Sequence, residues 1–118
     1  MSERIEKDWG HEIIVHADER YTCKHLVYTE PGQASSLHYH RNKHECFTVA
    51  NGVFELEVGD AAPTLLVRGE FVVLPPGMKH RLRFMWARTG AGLIVESSSF
   101  DDPLDCVRLV PSEKRRAA

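Results

Sequence analysis

The segment Gly32-Gln33-Ala34-Ser35-Ser36-Leu37-His38-Tyr39-His40-Arg41-Asn42-Lys43-His44-Glu45, which runs on to Asn51-Gly52, holds the most informative residues of the chain. Residues 36–40 read as a short strand. Side chains alternate between the faces of a strand, so His38 and His40 send both imidazoles to the same side. Glu45 opens the next apolar run after the connection Arg41-Asn42-Lys43-His44. If that connection folds back, the carboxylate meets the two rings.

A fourth donor comes from further along the chain. His80 follows Pro75-Pro76-Gly77 at the head of residues 81–86, and that tight turn is suited to delivering the ring inward. His38, His40, Glu45 and His80 together offer three nitrogens and one oxygen, a donor set suited to one divalent transition metal such as Zn, Mn, Fe, Ni or Co. His25 and His44 lie close by in sequence without sharing this spacing.

Around this core the apolar residues fall in short β-branched and aromatic runs at 12–16, 22–29, 36–40, 45–50, 53–58, 64–67, 71–74, 81–86, 93–97 and 106–110. Such runs read as strands. Turn residues punctuate them at Pro31-Gly32, Gly59-Asp60, Arg68-Gly69 and Gly90-Ala91-Gly92. Asn51-Gly52 carries the signal of a two-residue hairpin with both residues at positive φ, which would pair 45–50 with 53–58. No window shows helical apolar spacing, so the expected class is all-β, a barrel or sandwich in one domain.

Composition narrows the function classes. The chain has 118 residues, 15 basic against 17 acidic, for a net charge of −2. No electrostatic excess points to nucleic acid or an anionic membrane. No apolar run is long enough to span a bilayer, and the start, MSERIEKDWG, is too charged for a secretory signal, so a cytoplasmic protein is expected. Cys23, Cys46 and Cys106 lack metal-knuckle spacing and read as free thiols.

The spacing Gly32, His38, His40, Glu45, Gly52 matches the first signature of the cupin superfamily at every specified position. Gly69, Pro75, Gly77 and His80 match the second, with Phe84 in place of its final asparagine. The chain thus resembles a single-domain cupin. That implies a double-stranded β-helix, or jelly-roll barrel, over 1–110 with an N-terminal leading strand, followed by a charged, solvated tail at 111–118.

A narrower resemblance is to the type II phosphomannose isomerase cupin domain. It is carried by Trp9-Gly10, Lys24, Pro31-Gly32-Gln33, Ser36-Leu37, His80-Arg81, Glu96 and Asp105-Cys106-Val107-Arg108. It implies a metal-dependent isomerase or epimerase acting on a small-molecule substrate, a sugar or sugar phosphate, in a homodimer. Glu96 is then the expected base and Lys24 the second candidate, one that would need a lowered pKa. Lys24, Arg81 and Arg83 are the expected phosphate contacts, and Tyr39 is expected to line the pocket. An Fe(II) dioxygenase and a non-catalytic metal- or sugar-binding module are the alternatives. A polar lining from Lys24, Tyr39 and Glu96 would favour the isomerase, and an aromatic lining from Phe47, Phe54, Phe84 and Trp86 the dioxygenase.

Overall fold

Buried and less buried positions alternate along most strands, as in Thr22–Tyr28, where Thr22, Lys24, Leu26 and Tyr28 point inward. A computed structural model describes residues 3–114. Eleven strands follow in order: β1 (Glu3–Lys7), β2 (Gly10–Ala17), β3 (Thr22–Tyr28), β4 (Leu37–His40), β5 (Glu45–Asn51), β6 (Val53–Val58), β7 (Thr64–Leu66), β8 (Phe71–Leu74), β9 (His80–Trp86), β10 (Gly92–Ser98) and β11 (Cys106–Val110). They form a six-stranded sheet, β1-β2-β3-β10-β5-β8, and a five-stranded sheet, β11-β4-β9-β6-β7. Every pairing between these strands is antiparallel. The all-β jelly roll is the architecture observed. No helix among the described residues is long and apolar enough to cross a membrane.

The inward positions change character from one end of the barrel to the other. β3 presents Lys24, then Leu26 and Tyr28; β5 presents Glu45, then Phe47 and Val49; β9 presents His80, then Leu82 and Phe84. One end is therefore a polar chamber and the other an apolar core. In that core Trp9 stacks on Tyr28 at 4.5 Å between ring centroids, and Tyr28 meets Phe54 edge-on at 5.0 Å. Burying side chains of this size contributes about 1.5–3 kcal/mol each, so the apolar end holds the barrel while the polar end is left for chemistry.

The Asn51-Gly52 expectation requires correction. β5 and β6 lie in different sheets, and Asn51 does not have positive φ. Gly52 alone does, at φ 96°, and an added Cβ would meet the Phe84 ring at 3.0 Å and the Trp86 carbonyl at 3.2 Å. The Asn51 amide donates to the carbonyls of Thr89 and Ala91. These contacts turn the chain through a barrel corner, where a hairpin would have kept both strands in one sheet.

The C-terminal segment also differs from a solvated tail. Ala34 bridges to Glu113, whose carboxylate takes Arg81 Nη2 at 2.9 Å and Arg83 Nη2 at 2.7 Å. Residues 115–118 lie outside the described residues. All three cysteines are free.

Candidate metal centre and its cavity

His38 and His40 stand on β4, His80 opens β9 directly opposite His38, and Glu45 opens β5 in the other sheet. One donor atom from each of the four lies within 4.8 Å of the others. The turn before β9 is tied to β4, because the Gly77 N–H donates to the His40 carbonyl at 2.7 Å. Gly77 has φ 83°, a conformation that favours glycine, and this bend brings His80 to its place.

The ring orientations fit a metal ion. His38 Nδ1 lies 2.9 Å from the Ser36 carbonyl, and His80 Nδ1 lies 3.0 Å from the Met78 carbonyl. A carbonyl can only accept, so each Nδ1 carries the proton and each Nε2 keeps a lone pair for the centre. His40 Nδ1 faces Asp105 Oδ2 at 3.8 Å, and its Nε2 abuts Glu45 Oε1. Both oxygens of Glu45 and Nε2 of His80 are buried without a hydrogen-bond partner among the described residues. Buried polar atoms left unpaired and aimed at one point are costly unless a cation satisfies them.

Electrostatics hold these groups in the form a metal requires. Burial, with the His80 ring adding to it, pushes His38 down to about 4, and burial lowers His80 as well, so both are neutral near pH 7. Burial alone would raise Glu45, but the His40 contact and the Lys43 ammonium outweigh it and hold the carboxyl below its usual range.

Beside the centre opens a cavity of about 400 Å³, lined on its polar side by Glu12, Lys24, Lys43, Glu96 and Asp101. Glu96 on β10 is paired in register with Lys24. Its Oε2 accepts from Ser98 Oγ at 2.8 Å and takes Lys43 Nζ at 2.9 Å. Lys43 also reaches Asp101 at 3.0 Å and lies 3.8 Å from Glu45, so one ammonium links the metal cluster to Glu96. Lys24 contacts Asp101 and lies 3.5 Å from Glu12. Burial opposes the charge on both lysines, but the surrounding carboxylates, Glu96 foremost, raise both above their ordinary value.

The structure brings His38, His40, Glu45, His80, Lys24 and Glu96 to one chamber and leaves other expected residues out. Lys24 is not poised as a base, because the shift it would need is opposite to the one its neighbours impose. Tyr39 lies between two inward histidines on β4, so the alternation that brings them in turns it away, and it does not line the cavity. Arg81 follows inward His80 and faces outward for the same reason. Its guanidinium is used up by the carbonyls of Ser35 and Pro111, both at 2.8 Å, and by Glu113. Arg83 likewise holds the Gly32 carbonyl and Glu113. Neither arginine can serve as a phosphate contact. Of the aromatic candidates only Phe47 lines the cavity; Phe54 and Phe84 are core and Trp86 is exposed. His25 is outward and His44 is exposed.

Sequence reasoning missed Lys43, Glu12, Asp101 and the structural part played by Asp105. Lys43 lies in an irregular loop with no periodicity to betray its direction. Its inward course follows from Asp105, 62 residues away, which accepts the Lys43 N–H at 3.1 Å.

A family model described as the cupin domain matches residues 25–86, a span that holds all four metal-type ligands. The chain is a cupin. Over 80 residues this cupin is 28% identical to the xanthan biosynthesis protein XanB of Xanthomonas campestris pv. campestris (strain B100), a match covering 68% of the chain and 17% of that protein. The chain thus spans only about a sixth of that relative's length. Among solved structures, KdgF from Halomonas sp. superposes with a TM-score of 0.74 at 17% identity, covering 86% of this cupin and 88% of that chain. CapF, a capsular polysaccharide assembling protein from Staphylococcus aureus, gives 0.78 at 18% identity over 93% and 34%. Oxalate decarboxylase from Bacillus subtilis gives 0.75 at 15% identity over 92% and 30%. At these identities the structural likeness establishes the fold alone.

Proposed function

We propose that this cupin is a metal-dependent isomerase or epimerase of a polyhydroxylated carbonyl compound, a sugar or sugar phosphate. The observation that carries the reading is a second carboxylate, Glu96, outside the donor cluster but in its cavity and one ammonium away from Glu45. The polar lining suits hydroxyl groups, which need both donors and acceptors. XanB, 28% identical over 80 residues, is named for xanthan biosynthesis, which supports a carbohydrate ligand.

A divalent ion held by His38, His40, Glu45 and His80 would supply polarisation of a carbonyl oxygen. Glu96 is the base that moves a proton at the adjacent carbon. Both of its described contacts fall on Oε2, so Oε1 is the oxygen assigned to proton transfer. Lys43 holds the carboxylate in place and keeps a positive charge beside it. Lys24, an ammonium fixed by Asp101, is a substrate-binding donor with no role as base.

The test is exchange of the C2 proton of aldoses and aldose phosphates with deuterium from solvent, followed by NMR on metal-loaded protein. Wild type should exchange, and Glu96→Gln should abolish exchange while metal content is unchanged. No exchange across a panel of hexoses, pentoses and their phosphates would overturn the reading. Oxygen uptake in step with product would replace it with the dioxygenase reading.

A further inference from the structure

Lys24 and Lys43 are both buried, yet the carboxylate that joins them does not come from a strand of the barrel. Asp101 lies in the loop 99–105 between β10 and β11. It spans the two ammoniums, with Oδ2 on Lys24 Nζ and Oδ1 on Lys43 Nζ at 3.0 Å. Each oxygen serves one lysine. The two ammoniums are therefore spaced as a seat for a single carboxylate, with a charge-assisted bond to each of its oxygens.

The loop is attached at its ends. The Ser99 N–H donates to the His44 carbonyl, the Ser99 hydroxyl accepts the His44 N–H, and the Asp105 carbonyl accepts the Arg41 N–H. Between these anchors, among the described residues, Asp101 alone of residues 100–104 makes a hydrogen bond or ion pair to a residue outside the loop. Apolar packing does not hold the segment either, since Phe100 is 53% exposed and Leu104 83%. One side chain thus latches a stretch of chain to the cavity, which Asp101, Asp102 and Pro103 help to line.

Withdrawing Asp101 by itself would leave Lys24 buried with Glu12 3.5 Å away as its nearest carboxylate. A buried charge stripped of its close partner is costly, so release of the latch requires another anion in its place. A neutral polyol cannot make that exchange. A ligand that carries a carboxylate can, and the seat already holds one.

We propose that Lys24 and Lys43 form a carboxylate subsite of the cavity with Asp101 as its internal occupant, and that an acidic sugar, a polyhydroxylated carboxylate, displaces Asp101 and frees residues 100–104. This inference rests on the carbohydrate reading above and narrows its substrate class.

The test is calorimetric titration of metal-loaded protein with gluconate, glucose and glucose 6-phosphate. Gluconate should bind about 10-fold or more tighter than glucose, the scale of one charge-assisted bond. Asp101→Asn should tighten gluconate about 10-fold or more and leave glucose unchanged, because a subsite filled by its own occupant binds with an affinity cut to the fraction left open. Lys24→Gln should erase the preference for gluconate with metal content unchanged, whereas a carboxylate seated on the ion alone would keep it. Amide exchange on wild type needs no variant: gluconate should speed exchange at residues 100–104, and glucose should not. Gluconate no tighter than glucose, gluconate binding not tightened by Asp101→Asn, a preference that survives Lys24→Gln, or exchange at 100–104 that gluconate leaves unchanged or slows would each overturn the proposal. Glucose 6-phosphate bound tighter than gluconate, and weakened by Lys24→Gln, would overturn it by giving the seat to phosphate. Binding is read without turnover, so a protein that seats gluconate but exchanges no C2 proton keeps the subsite and loses the isomerase, and the reverse result loses the subsite alone.

Discussion

Asp105 Oδ2 stands 3.8 Å from His40 Nδ1, and the same carboxylate accepts the backbone N–H of Asn42 and of Lys43. One side chain near the end of the chain thus faces a metal-type ligand and also sets the loop that carries Lys43 into the cavity. Its three acceptor contacts, counting the Asn42 side chain, hold it buried beside the His40 ring.

Asp105→Ala should therefore weaken metal binding without removing a ligand. Groups that orient ligating imidazoles typically contribute about 10–100-fold in affinity. Elemental analysis of wild type should find about one transition-metal ion per chain, the stoichiometry of a single closed cluster. Competition with a chelator should show Asp105→Ala losing its ion at about 10–100-fold lower chelator activity, and Glu45→Ala holding almost none. Equal retention by all three proteins would remove the cluster from consideration.

Besides Lys24 and Lys43, two cations line the cavity, Lys7 on β1 and Arg108 on β11, and neither has a salt-bridge partner within 4.0 Å among the described residues. With Arg81 and Arg83 committed elsewhere, they are the groups left to meet a phosphate. Arg108→Gln should raise KM for a phosphorylated sugar about 10-fold or more while leaving KM for the free sugar unchanged, since a charge-assisted bond is worth about 1.5–3 kcal/mol. A parallel change for both substrates would assign Arg108 to the fold.

Asp101 clamps Lys24 and Lys43 together. Burial pushes its carboxyl up, yet the two ammoniums outweigh burial and bring it from 3.8 to about 2. A carboxylate with a lowered folded-state pKa stabilises the fold fully above its ordinary value, and that contribution is lost as pH falls through the lowered one. Urea denaturation should accordingly show wild type losing stability between about pH 4 and pH 2, and Asp101→Asn losing less across that window. Identical acid limbs would mean that the clamp is solvent-screened.

Glu113 neutralises two buried guanidiniums at once, although its own side chain is one-third exposed. Glu113→Gln should lower stability by about 1–3 kcal/mol, the range for a hydrogen bond to charge at a partly wet site. A fall of several degrees in Tm is the expected readout. An unchanged Tm would show that the carbonyls of Ser35, Pro111 and Gly32 suffice.

How far the sequence could be read depended on which residues obey a local rule. Strand alternation places His38 and His40 together and, applied one residue further, turns Tyr39 and Arg81 away. Taking those two as site residues overlooked a signal that was present. Glu45 and His80 were legible from spacing because short turns fix their direction. Lys43 and Asp101 were not, since irregular loops are set by partners far along the chain. Asn51-Gly52 misled for a related reason: the dipeptide specifies a sharp turn, but the strand that each arm pairs with is chosen by the packing of the whole barrel.

His38, His40 and His80 belong to the five-stranded sheet, whereas Glu45 belongs to the six-stranded one. An ion gripped by all four would act as a rivet through both layers at the end that holds the polar chamber. The aromatic end stays shut on its own account, so stripping the ion should loosen the seam at the cavity mouth first. Amide protons of β4 and of the start of β5 would then exchange faster, while those beside Phe54 and Ile94 keep their protection. Occupancy and access to the cavity are on this view one equilibrium, in which the ion that would assist the chemistry also keeps the chamber in shape.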